Sequence, residues 1–102
     1  MATYSSKALY RGAATTTTTT TLYTVPSATT TIVTEILVAN TAASSGTFTI
    51  SLDGTVIANT VTVGANDTTI ISCKQALATT KIIAGGASAT TINFSISGVE
   101  IS

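Results

Sequence analysis

The stretch TFTISLDGTVIA, residues 47–58, decides the fold. Polar and apolar side chains alternate strictly from Thr47 to Leu52, which puts Phe48, Ile50 and Leu52 on one face of an extended strand. Asp53-Gly54 follows at once. Asp-Gly suits a two-residue turn with positive φ at both central positions, so Thr55–Ala58 is expected to return as the partner strand of a hairpin.

Working outward, the same period recurs from Thr91 to Ser97, with Ile92, Phe94 and Ile96 on a single face. Val99 and Ile101 then fall on the other parity. Gly98 at the slip predicts a β-bulge that re-aims the strand end toward the core. Between the two alternating stretches, Asn59–Val63, Thr68–Cys73 and Thr79–Ala84 read as short strands, separated by the turn-like GAND and by Gln75-Ala76-Leu77. AGGAS, residues 84–88, reads as a flexible turn and not as a phosphate loop, since no helix is predicted after it.

TTTIVTEILVAN, residues 29–40, carries apolar residues on both parities: Ile32, Ile36 and Val38 on one, Val33 and Leu37 on the other. β-branched residues fill it and no helix cap precedes it, so a strand covered on both faces is expected. Its second face, Val33, Glu35 and Leu37, is a possible interface with a crossing strand or a neighbouring subunit. Glu35 reads as a rim or interface charge, because no titratable partner is visible near it.

Seven consecutive threonines, Thr15–Thr21, lead into LYTVP. A flexible linker draws on Gly, Ser or Pro, whereas threonine favours strands. Thr18–Val25 is therefore expected as the first strand, closed by Pro26. Residues 1–14 would form an extended N-terminal arm, in which Tyr4, Lys7, Leu9, Tyr10 and Arg11 are the candidate partner-binding residues. The arm reads either as a frayed terminus or as a tether that orders on a partner, with the tyrosines as anchors. Taken together, the sequence predicts an all-β, single-domain antiparallel β-sandwich, jelly-roll or Ig-like, of about 7–8 strands over residues 15–102.

Composition narrows the function. Charged residues are 8% of the 102, and four cations balance four anions. Ordinary soluble domains carry roughly 25%. Phosphate binding needs clustered cations and membrane attraction needs a polybasic segment, so neither nucleic acid nor membrane is an expected partner. A neutral, hydroxyl-rich surface suits life inside an assembly, and a homo-oligomer is expected. Histidine is absent, no two carboxylates stand close in sequence, and no metal-binding or phosphate-cradling motif occurs. Catalytic residues, cofactors and metals are accordingly assigned to none, and the chain reads as no enzyme. Cys73 is the lone cysteine, expected as a small buried side chain, with an interchain bridge as the alternative. The N-terminus lacks the apolar middle of a secretory signal, so synthesis and use without such export are expected, and Asn66-Asp67-Thr68 and Asn93-Phe94-Ser95 read as chance glycosylation matches.

The order of parts over Leu22–Pro26 (LYTVP), Val38–Thr41 (VANT), Thr49–Gly54 (TISLDG) and Ile96–Glu100 (ISGVE) resembles small structural proteins of tailed-phage virions. The resemblance implies a virion component assembled in the host cytoplasm: a capsid cement or decoration protein bound to the major capsid protein, or an accessory subunit of the neck, tail or fibre. A receptor- or glycan-binding fibre module is the rival. Sugar sites usually present exposed aromatics, and outside the arm Tyr23 is the only aromatic besides the two phenylalanines expected in the core.

Overall fold

The computed structural model describes residues 3–102, with residue 73 described in its backbone only. The expected burial of the Cys73 side chain and the first two residues of the arm thus lie outside the described residues. Threonine, valine and isoleucine hold the backbone extended over eight strands. In chain order these are β1 (Tyr4–Ala13), β2 (Thr21–Thr24), β3 (Thr30–Asn40), β4 (Gly46–Leu52), β5 (Thr55–Val63), β6 (Thr68–Leu77), β7 (Ile82–Ala87) and β8 (Ile92–Ile101). Among the described residues there is no helix.

The strands form two four-stranded antiparallel sheets, the first ordered β1-β8-β3-β6 and the second β2-β7-β4-β5. Only the β4–β5 hairpin stays within one sheet; every other connection crosses to the opposite layer. This is the strand order of an eight-stranded jelly roll, which settles the choice between the two sandwich classes expected. The hairpin turn is as read from the sequence, with φ of 52° at Asp53 and 77° at Gly54.

Between the sheets lies one core. Phe48 of the second sheet meets Phe94 of the first edge to face, with ring centroids 6.1 Å apart and planes at 71°. Val33, Ile36, Val38, Ile50, Ile83, Ile92 and Ile96 surround them, all fully buried. Asn40, the one buried amide, organises the adjoining loop: its Nδ2 donates to the Ser44 carbonyl at 2.9 Å and its Oδ1 accepts from the Ala42 N–H at 3.0 Å.

Several local expectations change. Residues 4–13, read as part of an arm outside the sandwich, run as edge strand β1 in register with β8 from Tyr4–Ile101 to Ala13–Asn93. Thr3 extends the ladder, exchanging backbone hydrogen bonds with Ser102. The segment lacks a clean period because the register shifts between Ala8 and Tyr10, and the extra residue, Leu9, turns into the core. Gly98 is not itself the bulge. It keeps register with Lys7 and Val33, and the slips fall in the flanking strands, at Leu9 of β1 and Thr34 of β3. The reason is steric: a Cβ at Gly98 would stand 2.5 Å from the Ile32 carbonyl oxygen and 2.8 Å from Leu9 Cδ1. Gly98 thus leaves the hole that Leu9 fills.

The glycines of AGGAS are strand residues, buried within β7. A Cβ at Gly85 would meet the Thr49 carbonyl oxygen at 2.5 Å, so close approach of β4 and not a turn demands glycine there. Asn59–Val63 continues β5 across two register shifts, with Thr60 at φ 50°, and Gln75-Ala76-Leu77 completes β6 instead of separating strands.

The threonine run is neither linker nor, for most of its length, strand. Only Thr21 enters β2, and residues 15–20 loop beside β7, where the Ala87 N–H donates to the Thr15 carbonyl at 2.8 Å and the Gly85 N–H to the Thr20 carbonyl at 2.9 Å. Threonine hydroxyls close the loop on itself: Thr15 Oγ1 and Thr20 Oγ1 lie 2.6 Å apart, so one donates to the other, and the Thr17 carbonyl oxygen lies within 3.1 Å of both. That carbonyl sits over Gly86, where a Cβ would collide with it.

Candidate interaction surfaces

The candidate residues of β1 and β3 divide between interior and surface. Leu9 is 8% exposed and belongs to the core, and Val33 is fully buried, which removes both from any free binding surface. Unbroken alternation would put Val33 on one face with Glu35 and Leu37. The bulge at Thr34 reverses the parity midway along β3, so that Thr31 and Val33 point inward before it and Ile36, Val38 and Asn40 after it. Tyr10 packs against the core, its hydroxyl donating to the Ala13 carbonyl at 2.8 Å. Tyr4, Lys7, Arg11 and Glu35 are exposed, and Leu37 is half-buried.

Tyr4, Arg11, Glu35 and Leu37 share the outer face of the first sheet. Along β8 the inward positions are Ile92, Phe94, Ile96 and Gly98, so Asn93, Ser95, Ser97 and Val99 look outward with their cross-strand neighbours. The outer face mixes polar and apolar side chains: Ile32, Leu37, Ala39, Val99 and Ile101 are half-buried on it beside Ser6, Ser72, Asn93, Ser95 and Ser97, and Ile70 of β6, opposite Leu37, is 58% exposed. A shallow groove of about 410 Å³ crosses it, lined by Arg11, Leu37, Ala39, Asn93, Phe94 and Ser95. The second sheet differs. Its outward positions on β4 and the facing end of β5 are Thr47, Thr49, Ser51 and Thr62, with exposed Val56 and Ile57 confined to the start of β5.

At one end of the sandwich, four strands converge on Glu100. Its Oε2 accepts a short hydrogen bond from the Tyr23 hydroxyl of β2, which also lies 2.9 Å from Thr31 Oγ1 of β3. Its Oε1 lies 3.4 Å from Lys7 Nζ of β1. Burial first, and then the hydrogen bond to the Glu100 carboxylate, push the Tyr23 phenol up to about 12. The cluster ties the two sheets and edge strand β1 together. Sequence reasoning passed over it, although a signal was present: Glu100 shares the parity of Ile92, Phe94 and Ile96, and a carboxylate at an inward position needs a donor.

The other described ion pair, Lys81 to Asp53 at 3.6 Å, is solvent-exposed. No group of three or more potential metal ligands occurs among the described residues. Nor, among them, is any helix long and apolar enough to cross a membrane. The arrangement offers surfaces for contact and one structural polar cluster.

No protein-family model matches the chain, and no curated protein matches it. Among solved structures the chain is similar in fold to a chain of the acidic stable capsid structure of Helicobacter pylori bacteriophage KHP30. The likeness covers 100% of this chain and 94% of that one, with a TM-score of 0.58 and 10% identity. A second similarity is to the structure of infectious bursal disease virus, Gx strain, with a TM-score of 0.41 and 14% identity, over 98% of this chain and 31% of that one.

Proposed function

We propose that the chain is a non-enzymatic structural protein of a tailed-phage virion, a capsid cement or decoration protein that binds the assembled shell and stabilises it. The observation that carries this reading is the whole-chain likeness to a chain of a phage capsid structure, 100% of one against 94% of the other. Both chains are therefore small single jelly rolls, a form suited to a separate accessory subunit. The neutral threonine-rich exterior and the structural role of the Glu100 carboxylate support the same reading.

The mechanism is geometric. Copies dock at symmetry-related positions on the shell subunits and bury apolar surface there. A subunit that binds only the closed shell raises the free energy of opening it, as any ligand of one state does. The experiment is add-back: shells stripped of the chain are heated with and without the purified protein. The reading requires co-sedimentation of the chain with the shells and a higher temperature of shell disruption. Shells that neither bind the chain nor gain thermal resistance contradict it, and binding to isolated tails would move the protein to a tail or fibre role.

A further inference from the structure

Like Lys74 at the β6 edge, Arg11 and Glu35 on the outer face of the first sheet have no opposite partner among the described residues. Both are exposed, and the described ion pairs join Lys7 to Glu100 and Lys81 to Asp53 instead. The Arg11 guanidinium reaches only Ser95 Oγ, at 3.3 Å through Nε. Their positions relative to each other are fixed by the strand register. Arg11 stands on β1 opposite Ser95 of β8, and Glu35 stands on β3 opposite Ser97 of β8, with β8 between the two strands. The midpoint of the pair therefore falls on β8 between Ser95 and Ser97, close to the centre of the sheet.

We propose that this face is an interface between two copies of the chain, related by a two-fold axis and joined by reciprocal Arg11–Glu35 pairs beside a mutual contact of Leu37. A two-fold axis lying in the plane of the face, through that midpoint and at right angles to the line joining the two charges, carries Arg11 of each copy over Glu35 of the other. One cation and one anion thus complete two ion pairs, and the face is complementary to itself. Leu37 shares the row of Ser95 and Arg11, so it falls beside the axis and meets the partner's apolar surface. Lys74 lies near Thr34 and Ser72 on the β6 edge, outside the reciprocal pair.

The register also sets the crossing angle and the size of the contact. Two strand spacings across, about 9.6 Å, and two residues along, about 6.8 Å, make the strands of the two sheets cross at roughly 70°, near the orthogonal class of sheet packing. Four-stranded sheets are about 19 Å wide, so their overlap has a flat footprint of roughly 400 Å² per copy. Side-chain relief raises the total buried surface to about 1,000 Å², the lower end for specific interfaces. The dimer is therefore reversible and depends on concentration. It stands on the geometry of this face and does not rest on the virion reading, so either can fail alone.

Sedimentation equilibrium of the full chain from about 1 μM to about 1 mM tests it. The wild-type chain is expected to pass from monomer to dimer within this range. Arg11→Glu and Glu35→Arg should each weaken the dimer at least about 10-fold, and the combined Arg11→Glu/Glu35→Arg chain should return to within about 3-fold of wild type. Melting curves of the three variants, expected to match wild type because both side chains are exposed, separate lost association from lost folding. A wild-type chain that stays monomeric, association that neither reversal weakens, or a double variant no tighter than the single ones overturns the proposal.

Discussion

Replacing Leu9 by alanine separates an N-terminal strand built into the sandwich from an arm attached to it. Leu9 is 8% exposed and its Cδ1 occupies the space that a side chain at residue 98 would need. The substitution removes about three methylene equivalents, at about 0.8 kcal/mol each, or about 2.4 kcal/mol of burial. Gly98 beneath has nothing with which to refill the hole, while the edge position lets the strand settle inward, so a total of about 2–3 kcal/mol is expected. For a chain of this length 1 kcal/mol corresponds to about 4–8 °C, which places the fall in Tm at about 10–20 °C. Thermal unfolding followed by circular dichroism reads it, with Tyr4→Ala as the control. Tyr4 is 71% exposed on the same strand, and its removal should change stability by less than about 0.5 kcal/mol. A Leu9→Ala chain that melts within about 2 °C of wild type would refute the reasoning, because β1 would then lie outside the cooperative unit.

Alkaline unfolding should report the Tyr23–Glu100 contact. The folded-state phenol is raised from 10.0 to about 12, so the stability it contributes is complete below pH 10 and is lost as pH rises through 12. In Glu100→Gln the loss should be smaller and should end at lower pH, because the carboxylate helps raise the phenol, and a denaturation series from pH 8 to 12 whose pH dependence superimposes on wild type would remove the contact from the account. Gly86→Ala should destabilise by about 1–3 kcal/mol by displacing the Thr17 carbonyl, and hydrogen exchange should show the Ala87 amide losing protection. If that amide stays protected, the threonine loop is not seated on β7 as described.

The sheet-forming part of the structure was legible wherever one period ran unbroken. Thr47–Leu52 and Thr91–Ser97 alternate without interruption, and both occupy the strands and faces read for them. Legibility failed where the physical cause lay in another strand. Gly98 signals a discontinuity, yet the discontinuity is carried by Leu9 and Thr34, which nothing local marks. Gly85 and Gly86 resemble a turn in sequence because the carbonyls that demand them, of Thr49 and Thr17, are far away along the chain. Thr34 also explains why Val33 does not share a face with Glu35 and Leu37, as their spacing suggests: the parity changes at the bulge. Likewise, strand propensity misjudged Thr15–Thr20, whose hydroxyls hydrogen-bond to one another and to the loop's own Thr17 carbonyl and close a turn.

The central proposal, that the chain strengthens a shell in many symmetry-related copies, is tested most directly by its stoichiometry against the major capsid protein in purified particles that contain it. Quantitative mass spectrometry of intact particles is the measurement. The account predicts hundreds of copies per particle, in fixed proportion to the shell subunit. A dozen copies or fewer, or none after purification, would contradict it.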